Sequence, residues 1–314
     1  MIKVKSLLIN KFALLGRVLG LEDLRRQIVD SKLLAARALI WQIQAKGTLE
    51  RISDAEFKVF SQFGDDGIIQ YLVHQIGIAR EDQTFVEFGV QDYQESNTRF
   101  LLMNDNWRGL ILDGDKANIR KVREWGDFWR YELTAVAAFI DRENVNDLFV
   151  RHSFSGEIGL MSIDIDGNDY WVWERVEAVT PIIVVAEYNS TFGSRHAVTI
   201  PYDPSFQRSR AHYSNLYWGA SLKALCLLAE NKGYAFVGSN SAGNNAYFVR
   251  RDRLSNLKPL AVEAGYVVSR FREARDKDGN LSYLKGAERL NEIADLPVFD
   301  IERGIAVRLA DLSK

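Results

Sequence analysis

Between residues 84 and 188 the chain carries five short apolar runs: TFVEFG (84–89), RGLILD (108–113), LTAVAA (133–138), GLMSID (159–164) and IIVVAEY (182–188). Runs this short and this apolar fit strands buried on both faces, and strands that alternate with helices build a mainly parallel sheet. Helices are expected over GDDGIIQYLVHQIG before the first strand, NTRFLLMND after it, KANIRKVREWG after the second and VNDLFVRHS after the third. An irregular stretch then reaches Tyr217, and a helix, GASLKALCLLAENKG, precedes two closing strands, YAFVGSN and NAYFVRR. The expected fold is α/β, a Rossmann-like sheet with helices on both faces, plus an N-terminal helical arm.

The arm covers residues 1–50, the core 51–253, and a C-terminal extension packed on the core 254–314. In the arm Leu21, Leu24, Ile28, Ala35 and Leu39 recur at helical intervals, which asks for a covering surface. Lys3, Lys5, Lys11 and Arg17 add a basic character, so the arm is expected to serve homo-oligomer packing or peripheral membrane contact. Lys11 falls on the same stripe as Val4, Leu8, Leu15 and Leu19, which favours packing. Lys11 and Arg17 also interrupt the apolar N-terminal stretch, and no small-residue cleavage site follows, so a cytoplasmic location is expected. With 40 Lys and Arg against 42 Asp and Glu the net charge is −2, which supplies no drive toward nucleic acid. The single cysteine, Cys226, excludes a disulfide scaffold and a cysteine-ligated zinc site.

Sheets of this kind bind ligands beyond the carboxyl ends of their strands, and four such ends here are polar. At the first, Glu87 and Gly89 lead into a loop in which Ser96 or Asn97 can cap the next helix. At the second, Asp113 stands 26 residues beyond Glu87, near the spacing at which a Rossmann-type unit offers an acid to ribose hydroxyls. Glu87, Gly89, Ser96, Asn97 and Asp113 are therefore the cofactor candidates. At the third end Asp164, Asp166 and Asp169 fall within six residues, and at the fourth Glu187 and Asn189 follow. Carboxylates so close repel unless solvated, protonated or paired with a cation, and Asp, Glu and Asn oxygens suit Mg²⁺ or Ca²⁺. The stretch 191–217 has the length of a substrate lid, and its His196 and His212 are candidate proton acceptors.

In order, VEFGVQDYQESN, LILDGDKANI and MSIDIDGNDYWVWERV resemble the cofactor loop, acidic second-strand end and fourth-strand end of class I S-adenosylmethionine-dependent methyltransferases, particularly the FkbM-like group, over roughly residues 60–250. The late helix and strand pair are what a methyltransferase-type sheet adds to a Rossmann-like core. The loop departs from the family pattern in holding a single glycine, Gly89, before Gly109. The resemblance implies S-adenosylmethionine as cofactor and O-methyl transfer to a hydroxyl of a sugar, glycan or glycosylated metabolite. The acids after the fourth and fifth strands are also similar to those of metal-dependent O-methyltransferases, which implies Asp164, Glu187 and Asn189 as a Mg²⁺ set, with Asp166 and Asp169 as alternates. Asp164 and Glu187, with His196 or His212, are then the catalytic candidates. Two rival readings stay open. Asp113-Gly-Asp115 and Asp164-Ile-Asp166 look like the Asp-x-Asp pair of metal-dependent nucleotide-sugar glycosyltransferases, and the fold can also serve a non-catalytic assembly protein that uses the arm as its contact surface.

Overall fold

Strand β1 (Thr84–Phe88) is the third strand of a seven-stranded sheet, with β2 (Arg108–Asp113) and β3 (Leu133–Ala137) to one side and β4 (Gly156–Ile163) and β5 (Val179–Glu187) to the other, these five parallel. Beyond β5 the sheet ends in two reversals: β8 (Asn245–Arg250) runs antiparallel to β5, and β7 (Tyr234–Ser239) antiparallel to β8. This is the expected Rossmann-like α/β sheet. The strand order reverses between β1 and β4, so the loops leaving these two strands part and leave room for a ligand. The computed structural model describes residues 20–270 and 273–312.

Alternation along the strands divides the core. Val86 and Phe88 of β1, Leu110 and Leu112 of β2, Met161 and Ile163 of β4 and Val184 and Ala186 of β5 share one cluster with helices α5 (Val145–Arg151), α6 (Asp169–Arg175) and α8 (Leu222–Asn231). The intervening Phe85, Ile111, Leu160, Ile183 and Val185 are equally buried, because side chains of a strand point alternately to opposite faces. Helix α2 (Asp65–Ile76) meets that second face, where Asp65 Oδ1 accepts from Tyr247 of β8. Register then fixes the site: Glu87 lies beside Ser162, Ile163 beside Ala186 and Glu187 beside Asn245. Glu87 and Glu187 thus emerge at the carboxyl edge on the α2 side.

The irregular stretch after β5 and the C-terminal extension fold with one another. Strands β6 (Val198–Thr199), β9 (Pro297–Asp300) and β10 (Ile305–Arg308) form a small antiparallel sheet in the order β10-β9-β6. A second core of Phe192, Val198, Ile200, Leu216, Tyr217, Ile293, Val298 and Leu309 supports it. Contacts divide the chain into units at Lys46 and Gly47. In the first, Leu21–Ala45 forms helix α1 of 25 residues; Lys3, Lys5, Lys11 and Arg17 lie outside the described residues. Among the described residues no helix is long and apolar enough to cross a membrane.

Buried at the start of α2, Asp66 Oδ2 accepts from the N–H groups of Val59, Phe60 and Ser61 and from Ser61 Oγ, each at 2.8 Å. Burial nevertheless pushes its carboxyl from the ordinary 3.8 up to about 6. The native chain therefore holds a proton that the unfolded chain has lost, and stability falls as pH rises through this window. The contribution is about 3 kcal/mol at full ionisation. Urea unfolding of Asp66→Asn is expected to lose less stability between pH 4 and pH 7 than the wild type does; parallel pH profiles would contradict this.

Candidate active site

Gly89 leaves β1 with φ +71°, and a Cβ on it would stand 1.6 Å from the Asp164 carbonyl oxygen. The loops leaving β1 and β4 therefore touch backbone to backbone. Gln91 and Tyr93 also have positive φ, 49° and 60°, so alternate residues of this loop are left-handed although only the first is glycine. Each such non-glycine residue costs about 1–2 kcal/mol, which the loop's hydrogen bonds offset. Tyr93 Oη pairs with Thr98 Oγ1 at 3.0 Å, and the Gln91 N–H donates to Asp113 Oδ2 at 2.7 Å.

Three expected cofactor contacts turn inward instead. Glu87 Oε2 accepts from Ser96 Oγ, Thr98 N and Thr98 Oγ1, and its Oε1 from Asn97 N at 2.8 Å. Burial raises the Glu87 carboxyl, and these donors offset part of the rise. Asn97 Nδ2 donates to Ser162 Oγ at 3.1 Å, and Ser96 Oγ also accepts from the Arg99 N–H at the start of α3 (Arg99–Asp105). Glu87, Ser96 and Asn97 thus shape the loop through bonds within the chain.

Asp113 ties the first two loops together. Besides Gln91 it accepts at Oδ1 from the Asp115 N–H, 2.8 Å, and from Asn118 Nδ2, 3.2 Å. Three of its roughly four acceptor positions are filled, and one remains for a hydroxyl. Beside it Gly114 faces Phe139, whose ring lies 3.4 Å from where a Cβ would be. Phe139 and Ile165 line a cleft of about 400 Å³ together with Asp166, Phe206, Arg208 and Glu273.

At the ends of β4 and β5, Asp164, Asp166 and Glu187 bring one carboxylate oxygen each to within 4.8 Å of the others. Glu187 is 7% exposed, and its Oε2 is sealed without a hydrogen-bond partner. Burial, and then the mutual repulsion with neighbouring acids, drives both Asp164 and Glu187 well above the carboxylate range. Both carboxyls therefore keep their protons to higher pH than a solvated acid does.

Other expected members are occupied elsewhere. Asn189 donates from Nδ2 to the carbonyls of Leu216 and Trp218 and accepts at Oδ1 from the Thr191 N–H; the third carboxylate beside Asp164 and Glu187 is that of Asp166. Asp169 accepts from the N–H groups of Ile165 and Gly167, both at 2.9 Å, and folds the turn into α6; burial pushes it up to about 6. His212 Nδ1 pairs with Ser214 Oγ at 2.7 Å, and His196 gives its carbonyl to Ser221 Oγ. Neither histidine belongs to the carboxylate group. The indoles of Trp171 and Trp173 are core.

The lid stretch brings two further residues, to which the sequence assigns no role, against the site. Arg208, on the short helix α7 (Arg208–Ala211), donates to Asp166 Oδ1 at 2.6 Å. Phe206 packs on Gly167, where a Cβ would come within 2.3 Å of its ring. Asn168 Nδ2 adds a bond to the Asp203 carbonyl at 2.7 Å. The segment 203–208 therefore lies directly on the turn after β4. The signal that was available is Gly167 beside two acids, a position that tolerates close approach.

Comparison with family models and with curated proteins returns no match for this chain. Among solved structures, the N-terminal domain of EvdMO1 with SAH bound is similar at 12% identity and TM-score 0.38, over 72% of this chain and 94% of that one. The O-methyltransferase from Bacillus cereus in complex with SAH is similar at 10% identity and TM-score 0.39, over 69% of this chain and 89% of that one. The plantazolicin methyltransferase BamL, in complex with a triazolic desmethylPZN analog and SAH, is similar at 10% identity and TM-score 0.38, over 72% of this chain and 99% of that one.

Proposed function

We propose that this chain is an S-adenosylmethionine-dependent O-methyltransferase of the FkbM-like kind, acting on a hydroxyl of a sugar, glycan or glycosylated metabolite. The observation that carries the reading is the contact of Gly89 with the Asp164 carbonyl, which sets a left-handed polar loop beside the carboxylates of Asp164 and Glu187. S-adenosylmethionine, when bound, supplies a methyl group on an electron-poor sulfur. The residues around the loop fit such a molecule: Asp113 keeps an acceptor position for a ribose hydroxyl, and Phe139 and Ile165 offer apolar walls to a flat ring.

On the acceptor side Glu187 is the group that takes the hydroxyl proton, because burial and the neighbouring acids raise its proton affinity above that of a solvated carboxylate. The segment 203–208, laid on Gly167, keeps water from the carboxylate pair. Alignment of the hydroxyl oxygen with the methyl group carries much of the rate.

A second reading of the pair is favoured by the unpartnered Glu187 Oε2 taken with Asp166. Three carboxylate oxygens within 4.8 Å fit a hard divalent cation such as Mg²⁺, which would hold acceptor oxygens there. The arm, residues 1–50, serves attachment to a second copy or to a membrane surface in this reading, and the core 51–253 with its extension carries the chemistry.

Incubation with methyl-labelled S-adenosylmethionine and a panel of sugars and glycosylated metabolites, with and without EDTA, tests both readings. Label is expected in an acceptor hydroxyl; loss of transfer with EDTA selects the cation, and retention selects the carboxylate base alone. Transfer of a sugar from a nucleotide-sugar donor, with no methyl transfer, would overturn the proposal in favour of a glycosyltransferase.

A further inference from the structure

We propose that Arg208 and a divalent cation compete for Asp166, so that the guanidinium fills the cation's place while the segment 203–208 is closed and must leave before a cation binds. The inference rests on the cation reading of the carboxylate group given above.

Arg208 is held on every side. Its Nη1 donates to Asp166 Oδ1 at 2.6 Å, Nη2 to Glu273 Oε1 and Nε to the Asn215 carbonyl at 3.1 Å, while its guanidinium lies 4.5 Å over the Trp218 ring. Its side chain is 16% exposed, against 55% for Asp166 and 47% for Glu273. A planar fork fixed this way is a built counter-ion and not a loose surface pair. The groups facing it are acidic: Asp166 and Glu273 by contact, and Glu187 by longer-range attraction.

Asp166 is the third member of the carboxylate group, and its Oδ1 is the oxygen that receives Arg208. A divalent ion drawing on Asp164, Asp166 and Glu187 would sit a few ångströms from the guanidinium. Two cations that close in a partly buried cleft repel, so one excludes the other. Arg208 is also the last residue of the segment closed over the turn after β4, next to Phe206 on Gly167. Its release from Asp166 therefore loosens that closure, leaving Phe206 and the Asn168–Asp203 bond to hold it.

Mn²⁺ binding, read by the electron paramagnetic resonance of free Mn²⁺, tests the exclusion in the full chain. R208Q is expected to bind Mn²⁺ about tenfold or more tightly than the wild type, R208K to stay near the wild type, and R208Q/D166N to lose the gain. Hydrogen exchange in 203–208 should rise on adding Mn²⁺ to the wild type and be already high in R208Q without it. If R208Q does not fold, E273Q frees one anchor of Arg208 and leaves the carboxylates intact, and it should shift Mn²⁺ affinity in the same direction. Equal affinity in wild type and variants overturns the exclusion while the cation reading stands. No Mn²⁺ binding by any of them overturns the cation reading and the exclusion with it.

Discussion

Gly89→Ala is expected to cost about 3 kcal/mol or more and to leave little cofactor-competent protein. A methyl at this position would overlap the Asp164 carbonyl, 1.6 Å away, and the obstacle is backbone, so no rotamer relieves it. The two strands cannot separate without breaking their ladder, since Phe85, Val86 and Glu87 pair with Leu160, Met161 and Ser162, and the Gly89 N–H is bound to the Leu112 carbonyl at 2.9 Å. The left-handed φ of +71° adds its own penalty. Gln91→Gly is the informative control. It removes a side chain from a residue that is already left-handed and exposed, and should change stability by no more than about 1 kcal/mol. Urea unfolding of both variants reads this directly; a Gly89→Ala protein as stable as Gln91→Gly would remove the β1–β4 contact from the construction of the site.

The second large effect is chemical. Glu187→Gln is expected to lower methyl transfer about 10²–10⁴-fold, the usual worth of a positioned base, while the variant folds and binds cofactor. Asp164→Asn should behave alike, because Asp164 is hydrogen-bonded to Glu187 and both belong to one buried acidic group. Stability separates this from mere damage. Burial and mutual repulsion raise both carboxyls well above their ordinary values, so the native pair holds a proton the unfolded chain releases. The pair's contribution is present at acid pH and is lost as pH rises through its native range. Neutral amides escape that loss, so both variants should match or exceed the wild type in thermal stability at pH 8. Full activity in either variant would take the carboxylates out of the reaction, and a collapse of stability would make them structural.

The sheet was legible because its strands are long enough to show themselves. Apolar runs of six or seven residues with polar carboxyl ends placed β1 to β5, β7 and β8, and with them Gly89, Asp113, Asp164 and Glu187 at one edge. Strand β6 has two residues and β9 and β10 four each, too few for any period to emerge, so the partnership of the 190–217 stretch with the C-terminal extension stayed hidden. Helix α6, DYWVWER, read as a turn because seven residues rich in aromatics show no clear face. Within the site, residue type gave the polar groups but not their direction. Glu87 and Asn189 look like ligands in the sequence and spend their hydrogen bonds internally, and the left-handed turns at Gln91 and Tyr93 come from tertiary restraint without the glycine that would announce them. The Asp166–Arg208 pair joins residues 42 positions apart, set by how segment 203–208 lies on Gly167.

The most direct measurement is calorimetric titration of the purified chain with S-adenosylhomocysteine, beside Asp113→Ala and a nucleotide sugar. Saturable one-to-one binding is expected for the wild type, about tenfold or more weaker binding for a folded Asp113→Ala because a charge-assisted hydroxyl contact is lost, and no saturation by the nucleotide sugar. No heat from S-adenosylhomocysteine together with saturable binding of the nucleotide sugar would contradict a cofactor seat over Gly89, Gln91 and Asp113, and with it methyl transfer.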